Sequence, residues 1–413
     1  MEKQFDCVTI GAGPGGSTAA ALVAEAGFST LLLERERFPR FHVGESLMPE
    51  TYWTLQRLGV LDEMRARSFP PKVGVQFVSS STKESAPFFF DHHDDHDSSQ
   101  TWHVERAEFD NLLFKNAAAK GADCRDGSRV LDIDLKGTDG ATVTYQSSDG
   151  EKHSVHTKVV IDATGQQAIL ANRLGLMEVN EKLKKASIWT YFLGAERSED
   201  PNRNTTIILH TEDKACWFWY IPLANNVVSV GLVGDHKQLL KGRGSPEEIF
   251  AEELAKCPGV QRRIAKAKRV GDFNVAKEFS YTTKQHAGDG WVLVGDAFGF
   301  IDPVYSSGVF LALKSGEMAA DSVVEGLRKG DLSAAQLGSW TPEFKAGMVW
   351  IRKLVHAFYT NEFSFGKFMK MHPHYASNLT NLLIGRVFED GVGKIFEDMD
   401  PAIEEAKAAA MEA

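Results

Sequence analysis

The segment from Phe5 to Gly16 constrains this chain more than any other. Phe5-Asp6-Cys7-Val8-Thr9-Ile10 reads as a buried β-strand, Gly11-Ala12-Gly13-Pro14-Gly15-Gly16 follows at once, and an Ala-rich helix is predicted over Ser17 to Glu25. This is G-x-G-x-x-G between a strand and a helix, the context that gives the pattern meaning. Gly11 permits the tight turn, Gly13 lets the backbone approach a pyrophosphate, and Gly16 lets helix and strand pack closely. The start of the helix offers free N–H groups and a partial positive charge to the phosphates. A second predicted strand, Phe28 to Leu33, ends in Glu34. That acid lies about 20 residues beyond the glycines, where a ribose hydroxyl needs an acceptor. The chain is therefore expected to bind a dinucleotide.

At 413 residues the chain is long enough for two domains or one composite domain. A net charge of −10, with no basic stripe, argues against nucleic acid. No apolar run is long enough to span a bilayer, and Phe88-Phe89-Phe90 falls far short. The N-terminus enters a strand almost immediately, which leaves no room for a signal peptide. Cys7, Cys124, Cys216 and Cys257 lack C-x-x-C spacing and suit free thiols in a reducing cytoplasm. A cytoplasmic protein with neither membrane nor nucleic acid as partner is expected.

Glu45 to Leu61 and Glu105 to Lys120 read as helical, and Lys72 to Val78 and Pro87 to Phe90 as strands. A β-rich run follows: Arg129 to Leu135, Ala141 to Gln146, Lys152 to His156, then a separate apolar strand from Lys158 that ends in a glycine turn at Gly165. From Ala186 to Thr283 apolar and polar residues alternate, which predicts a second, largely antiparallel sheet interrupted by helical residues near Pro246 to Ala267. The strand Gly290 to Val294 returns to the nucleotide-binding pattern, and a long helix, Ser307 to Gly326, precedes a mostly helical tail. The expected fold is an α/β (α+β composite) one. A Rossmann-like nucleotide-binding domain (1–71, 101–185 and 284–335) carries an inserted antiparallel β-sheet substrate domain (72–100 and 186–283) and a helical C-terminal region (336–413). Asp91-His92-His93-Asp94-Asp95-His96-Asp97 has metal-ligand residue types without the spacing of a site, so it reads as a polar loop and no metal is expected.

Three features converge: Gly11 to Gly16 with Glu34, the pair Gly295-Asp296-Ala297 and Phe300-Ile301-Asp302-Pro303-Val304-Tyr305-Ser306-Ser307-Gly308, and the β-rich insertion. Over roughly Phe5 to Leu327 the chain resembles the FAD-dependent monooxygenase superfamily with the p-hydroxybenzoate-hydroxylase-like fold. The resemblance implies FAD as cofactor, with Gly11, Gly13, Gly16 and Glu34 at its nucleotide end and Asp296 at its ribityl–phosphate portion. It adds Arg106, which stands in an Arg-x-x-Phe-Asp segment with Phe109 and Asp110. Finer features resemble the flavin-dependent halogenases of the phenol and pyrrole branch. Trp217-Phe218-Trp219-Tyr220-Ile221-Pro222 matches their W-x-W-x-I-P signature, and Phe300 to Gly308 their F-x-D-P-x-x-S-x-G segment. Lys72 sits where they carry an essential lysine, and Gly44-Glu45-Ser46-Leu47 fits a segment near the flavin ring. Glu45, Ser46 and Asp302 are accordingly expected beside the cofactor.

In such enzymes reduced FAD and dioxygen form a flavin C4a-hydroperoxide. Halide attacks it, and the hypohalous acid formed travels through a channel to the lysine, here Lys72. Trp217 and Trp219, at alternate positions of one strand, share a face and are expected to partition flavin from substrate. Chloride or bromide is expected at the Ser307 and Gly308 N–H groups, bound weakly, since a helix N-terminus contributes only ~0.3–1 kcal/mol to an exposed anion and up to ~2 when partly buried. Lys72 either hydrogen-bonds the hypohalous acid or forms a haloamine. The second route needs a neutral amine, only about one in ~2500 at pH 7 for a pKa of ~10.4, so hydrogen bonding is favoured. Tryptophan halogenases carry a glutamate three residues before the motif glycine, where this chain has Tyr305. That departure favours electron-rich phenols or pyrroles, free or tethered to a carrier protein. No second nucleotide motif is present, so a separate flavin reductase is the expected source of reduced FAD. The alternatives are a hydroxylase or a prenyl (C=C) reductase of the same superfamily, or a flavoprotein without turnover.

Overall fold

A computed structural model describes residues 3–94 and 96–412 of the chain. Its first sheet runs, edge to edge, Ala287–Gly288, Trp291–Leu293, Lys152–Asp162, Lys3–Ile10, Thr30–Leu33, Asp123–Arg125. From Trp291–Leu293 onward every pairing on this path is parallel. Parallel strands need covered faces and near-continuous apolar runs, and Cys7, Val8 and Ile10 are accordingly buried at its centre. The helix after the first strand is Pro14–Glu25. It begins earlier than Ser17 because a proline at the first helical position gives up an N–H that had no partner there. Lys152–Asp162 is one continuous strand of eleven residues. Its first half pairs antiparallel with Ala141–Gln146 while its second half joins the parallel sheet, which corrects the two separate strands expected.

The second sheet runs Gly299–Phe300, Asn274–Thr283, Met177–Leu193, Val227–Asp235, Cys216–Pro222, Thr206–His210, Gly74–Val78, Phe88–Phe89. It is antiparallel except where Thr206–His210 meets Gly74–Val78. It starts at Met177, nine residues before the expected boundary at 186, and it takes in Gly299–Phe300 from beyond 283. The strand Cys216–Pro222 is buried throughout. Phe218 and Tyr220 enter a core under the helices Pro246–Leu254 and Pro258–Ile264, whereas Trp217, Trp219 and Ile221 enter the core shared with the first sheet. Alternation along a strand assigns the two sets to opposite faces.

Lys72 belongs to neither large sheet. Pro71–Lys72 pairs with Thr101–Trp102 in a separate two-stranded ribbon. Beside it, residues 45–48 are extended rather than helical, and the helix begins only at Thr51. The residue before a proline is pushed out of the α region, and Met48 precedes Pro49. The ribbon and the chain beyond it also claim the backbone: Val104 N–H donates to the Glu45 carbonyl (2.7 Å) and Leu47 N–H to the Trp102 carbonyl (3.1 Å).

The C-terminal region is helical, from Thr341–Tyr359 to Ile395–Glu412. The polar segment 91–97 is a clasp for it. Asp94 pairs with Arg386 at 2.6 Å and His93 hydrogen-bonds Asn381 at 2.9 Å. Asp95 of that segment lies outside the described residues. Among the described residues, no helix is long and apolar enough to cross a membrane.

Candidate functional site

One cavity of about 520 Å³ runs between the two sheets, within the range of a specific small-molecule site. At one end it is lined by Gly11, Gly13, Gly16 and Glu34, and at the other by Trp217, Trp219, Ile221 and Thr206. Glu45, Ser46, Arg106, Asp296, Asp302 and Gly308 also line it. Residues scattered over three hundred positions are thus brought to one space. Ser307 is buried but does not line the cavity; its neighbours Ser306 and Gly308 do. Lys72 lies outside the lining.

The glycine end has the shape a phosphate cradle needs. Gly11 has φ of +95°, and a Cβ there would sit 2.4 Å from the Ala163 carbonyl oxygen. A Cβ on Gly16 would fall 1.9 Å from the Gly11 oxygen. On Gly13, by contrast, it would meet only an Arg40 nitrogen, at 3.9 Å. Gly16 is therefore filled from the protein side, while Gly13 opens onto empty space at the start of a helix, the place for a pyrophosphate. Glu34 is held ready: its Oε2 accepts the Ala12 N–H (3.0 Å) and its Oε1 the Glu36 N–H (3.1 Å). Arg106 is buried and forked onto Asp110 (2.8 and 3.0 Å), with a further bond to the Val43 carbonyl at 2.6 Å. Its first task is to fix the turn at 43–44 against the cavity.

At the other end the wall is aromatic. The Trp219 indole N–H donates to Ser229 Oγ and that of Trp217 to the Tyr359 hydroxyl, both at 3.1 Å. Trp189 and Trp219 stand opposite Gly231 on adjacent strands, with ring centroids 6.1 Å apart. A Cβ on Gly231 would lie 2.1 Å from the Trp219 ring, so the absence of a side chain there is what lets the indole lie flat. Glu45 faces this end and takes the Tyr191 hydroxyl at 2.8 Å. Burial pushes its carboxyl up to about 7, against opposing hydrogen bonds from Ser229 and Tyr191. Burial also raises Asp296 to about 6 and Asp302 to about 7.

Lys72 is 3% exposed. Its Nζ donates to the Leu47 carbonyl at 2.8 Å and stands 5.5 Å from the Phe90 ring centre. Among the described residues it has no carboxylate partner. Desolvation therefore pulls its pKa down to about 7. His103 is fully buried on the same face of the ribbon, and its Nε2 meets Thr206 Oγ1 at 2.8 Å. Thr206 Oγ1 in turn meets Ser46 Oγ at 3.1 Å. A hydroxyl chain thus links the cavity wall to the lysine's ribbon.

Sequence reasoning missed Thr206, His103, Tyr191, Ser229 and Tyr359. Each reads as an ordinary residue in its own stretch of chain and matters through a partner elsewhere, 10 positions away for Ser229 and 57 to 160 for the others. Tyr305 is a packing residue: it is 9% exposed and its ring lies against Phe358.

The description of the tryptophan halogenase family matches residues 6–100 and 89–365 of the chain. Over 399 residues the chain is 31% identical to the 1H-pyrrole-2-carbonyl-[peptidyl-carrier protein] brominase of Pseudoalteromonas luteoviolacea, covering 94% of this chain and 93% of that protein. It is 28% identical over 419 residues to the corresponding chlorinase of Pseudomonas fluorescens, covering 97% and 92%. The solved structure of flavin-dependent brominase Bmp2 superposes with a TM-score of 0.87 at 29% identity, over 98% of this chain and all of that one.

Proposed function

Because the chain belongs to the tryptophan halogenase family, and so is a flavin-dependent halogenase, we propose that it halogenates a pyrrole-2-carbonyl group borne by a peptidyl carrier protein, with Lys72 delivering the halogen. It is an FAD-dependent oxidoreductase that uses halide, reduced flavin and dioxygen to halogenate an aromatic substrate. The phosphate cradle at Gly13, the poised Glu34 and the residues lining the cavity fit FAD. Gly11, Gly13, Gly16 and Glu34 hold its nucleotide half. Asp296, Arg106, Glu45, Ser46 and Asp302 surround the rest, and Ser307 and Gly308 offer N–H groups to the halide. Bound reduced FAD supplies, with dioxygen, the oxidant that converts halide to hypohalous acid.

The chain's own residues confine that oxidant and aim it. Trp217 and Trp219 close the aromatic end of the cavity, pinned by Tyr359 and Ser229. Lys72 holds hypohalous acid beside the substrate and returns a proton to the departing hydroxide. The observation that carries this role is a buried amine without a counter-charge among the described residues. An ionisable group buried alone is costly to stability and concentrates at functional sites. A carrier-borne pyrrole is favoured over a free phenol because the pyrrole-acyl halogenases match almost the whole chain in both directions. A separate reductase provides reduced FAD.

The test supplies FAD, a flavin reductase, NADH, oxygen and chloride or bromide to the protein. Pyrrole-2-carbonyl carrier protein, free pyrrole-2-carboxylate and free phenols are compared by mass spectrometry. Halogen isotope patterns on the carrier-borne acyl group alone are expected, and halogenation of free phenols alone overturns the substrate assignment. A second expectation concerns the partition. Gly231→Val drives a side chain into the Trp219 ring, an overpacking of about 1–3 kcal/mol that displaces the indole. Halogenated product per flavin oxidised then falls and hydrogen peroxide rises, measured together in one reaction.

A further inference from the structure

Asp302 precedes the long helix Ser307–Lys329 and is 3% exposed. Its Oδ1 is well supplied: the Val304 N–H donates at 3.0 Å and the Tyr359 hydroxyl at 3.2 Å. Its Oδ2 is equally buried and, among the described residues, has no hydrogen-bond partner. Asp302, Ser306 and Gly308 line the same cavity. A Cβ on Gly308 would meet nothing within 4 Å, so the first turn of the helix borders open space.

An ionised carboxylate stripped of water with one oxygen bare is a poor arrangement, because buried charge is tolerated only when paired and hydrogen-bonded. The bare oxygen is better accounted for by a proton. A neutral carboxyl there can donate to an anion at the helix start, which already favours negative charge. An ionised one repels the same anion at short range in a low dielectric. We propose that Asp302 gates the halide: as a neutral acid it admits and hydrogen-bonds chloride or bromide at Ser307 and Gly308, and as a carboxylate it shuts them out. This rests on the reading that halide binds at that helix start. The event balances as uptake of one proton with each halide.

The groups facing Asp302 come from three elements. Tyr359 comes from the helix Thr341–Tyr359, Lys185 from the strand Met177–Leu193, and Tyr305 from the adjoining turn. Elsewhere the cavity holds Glu45, Asp296 and Arg106. Lys185 and the Tyr359 hydroxyl favour the ionised form, yet burial outweighs them and holds the carboxyl near 7, which puts the switch in the neutral range.

The test is chloride-35 line broadening on the full-length protein with oxidised FAD, from pH 6 to pH 9. Wild-type broadening is expected to fall as pH rises, with affinity dropping about tenfold per unit above the midpoint. Asp302→Asn keeps a donor that does not titrate, so its broadening persists to pH 9. Gly308→Ala fills the open space and removes broadening at every pH. If Asp302→Asn loses chloride with the wild-type pH dependence, or loses it at every pH, the gate is overturned while the site stands. If Gly308→Ala binds chloride as wild type does, the halide site itself is wrong, and the gate falls with it.

Discussion

Lys72→Met abolishes halogenation and at the same time stabilises the fold. Loss of activity by ~10²–10⁴-fold or more is expected for removal of a positioned proton donor, whereas flavin oxidation and peroxide release continue. The stability change follows from burial. In the native state the Lys72 pKa is pulled from 10.5 to about 7, so below pH 7 folding must strip or desolvate a charge that the unfolded chain carries freely. That cost is on the order of 3–5 kcal/mol, offset by ~1 kcal/mol for the hydrogen bond to the Leu47 carbonyl. Between pH 7 and pH 10.5 the unfolded state binds more protons than the native one, so wild-type stability rises with pH across that window. Above it the penalty is gone. The methionine variant, free of the penalty, should melt several degrees higher near pH 7, and its advantage should shrink as pH rises. Calorimetry of the two proteins from pH 6.5 to pH 10 checks this. A variant that melts lower at neutral pH shows that burial of the amine carries no net penalty, and one that still halogenates removes Lys72 from the mechanism.

The same ionisation separates the two ways Lys72 can act. With a pKa of about 7, amine and ammonium coexist at neutral pH, so the scarcity of neutral amine that disfavoured a haloamine in sequence terms no longer applies. A haloamine route makes the halogenation step faster as pH rises through 7. A hydrogen-bonding ammonium makes it slower. Single-turnover rates with added hypohalous acid, which bypass the flavin, show which holds.

The second large effect distinguishes two glycines of one motif. Gly16→Ala places a methyl 1.9 Å from the Gly11 oxygen and 2.8 Å from Ala163 Cβ. Neither backbone nor packed methyl can yield, so the first helix is levered off its strand at a cost of about 3 kcal/mol or more, and the protein melts lower even without flavin. Gly13→Ala meets no such contact: among the described residues the methyl comes within 4 Å of only the tip of Arg40, at 3.9 Å. Its backbone (φ −69°, ψ −176°) suits any residue. The flavin-free protein should therefore melt as wild type does. The methyl instead occupies phosphate space, and each charge-assisted hydrogen bond lost is worth ~1.5–3 kcal/mol, or roughly 10- to 100-fold in FAD affinity. Paired melting curves and flavin titrations read the contrast. Equal melting losses in both variants would show that the glycines serve packing alone.

Much of this was legible in the residues, unevenly. Strand, glycine turn, helix and Glu34 lie within thirty residues of one another, so local spacing fixes their geometry, and the glycine-lined end of the cavity followed from it. The W-x-W-x-I-P strand was readable for the same reason: alternation alone places Trp217 and Trp219 on one face. The helix expected from Glu45 starts only at Thr51, because hydrogen bonds to Trp102 and Val104 and the following Pro49 hold residues 45–48 extended. The ribbon carrying Lys72 and the early start of the second sheet at Met177 depend likewise on distant pairing partners.

The sequence by itself determined the strand–glycine turn–helix unit at the N-terminus, the presence of a second, largely antiparallel sheet, and the resemblance that names FAD as cofactor. These properties are local, set by side-chain period and by glycine where backbone must come close. Only the tertiary structure decided how those residues ionise. The neutral-range pKa of Lys72, the bare oxygen of Asp302 and the flat indole of Trp219 over Gly231 come from burial and from partners far along the chain. Desolvation is a property of what surrounds a group in space, and no spacing along a chain encodes it.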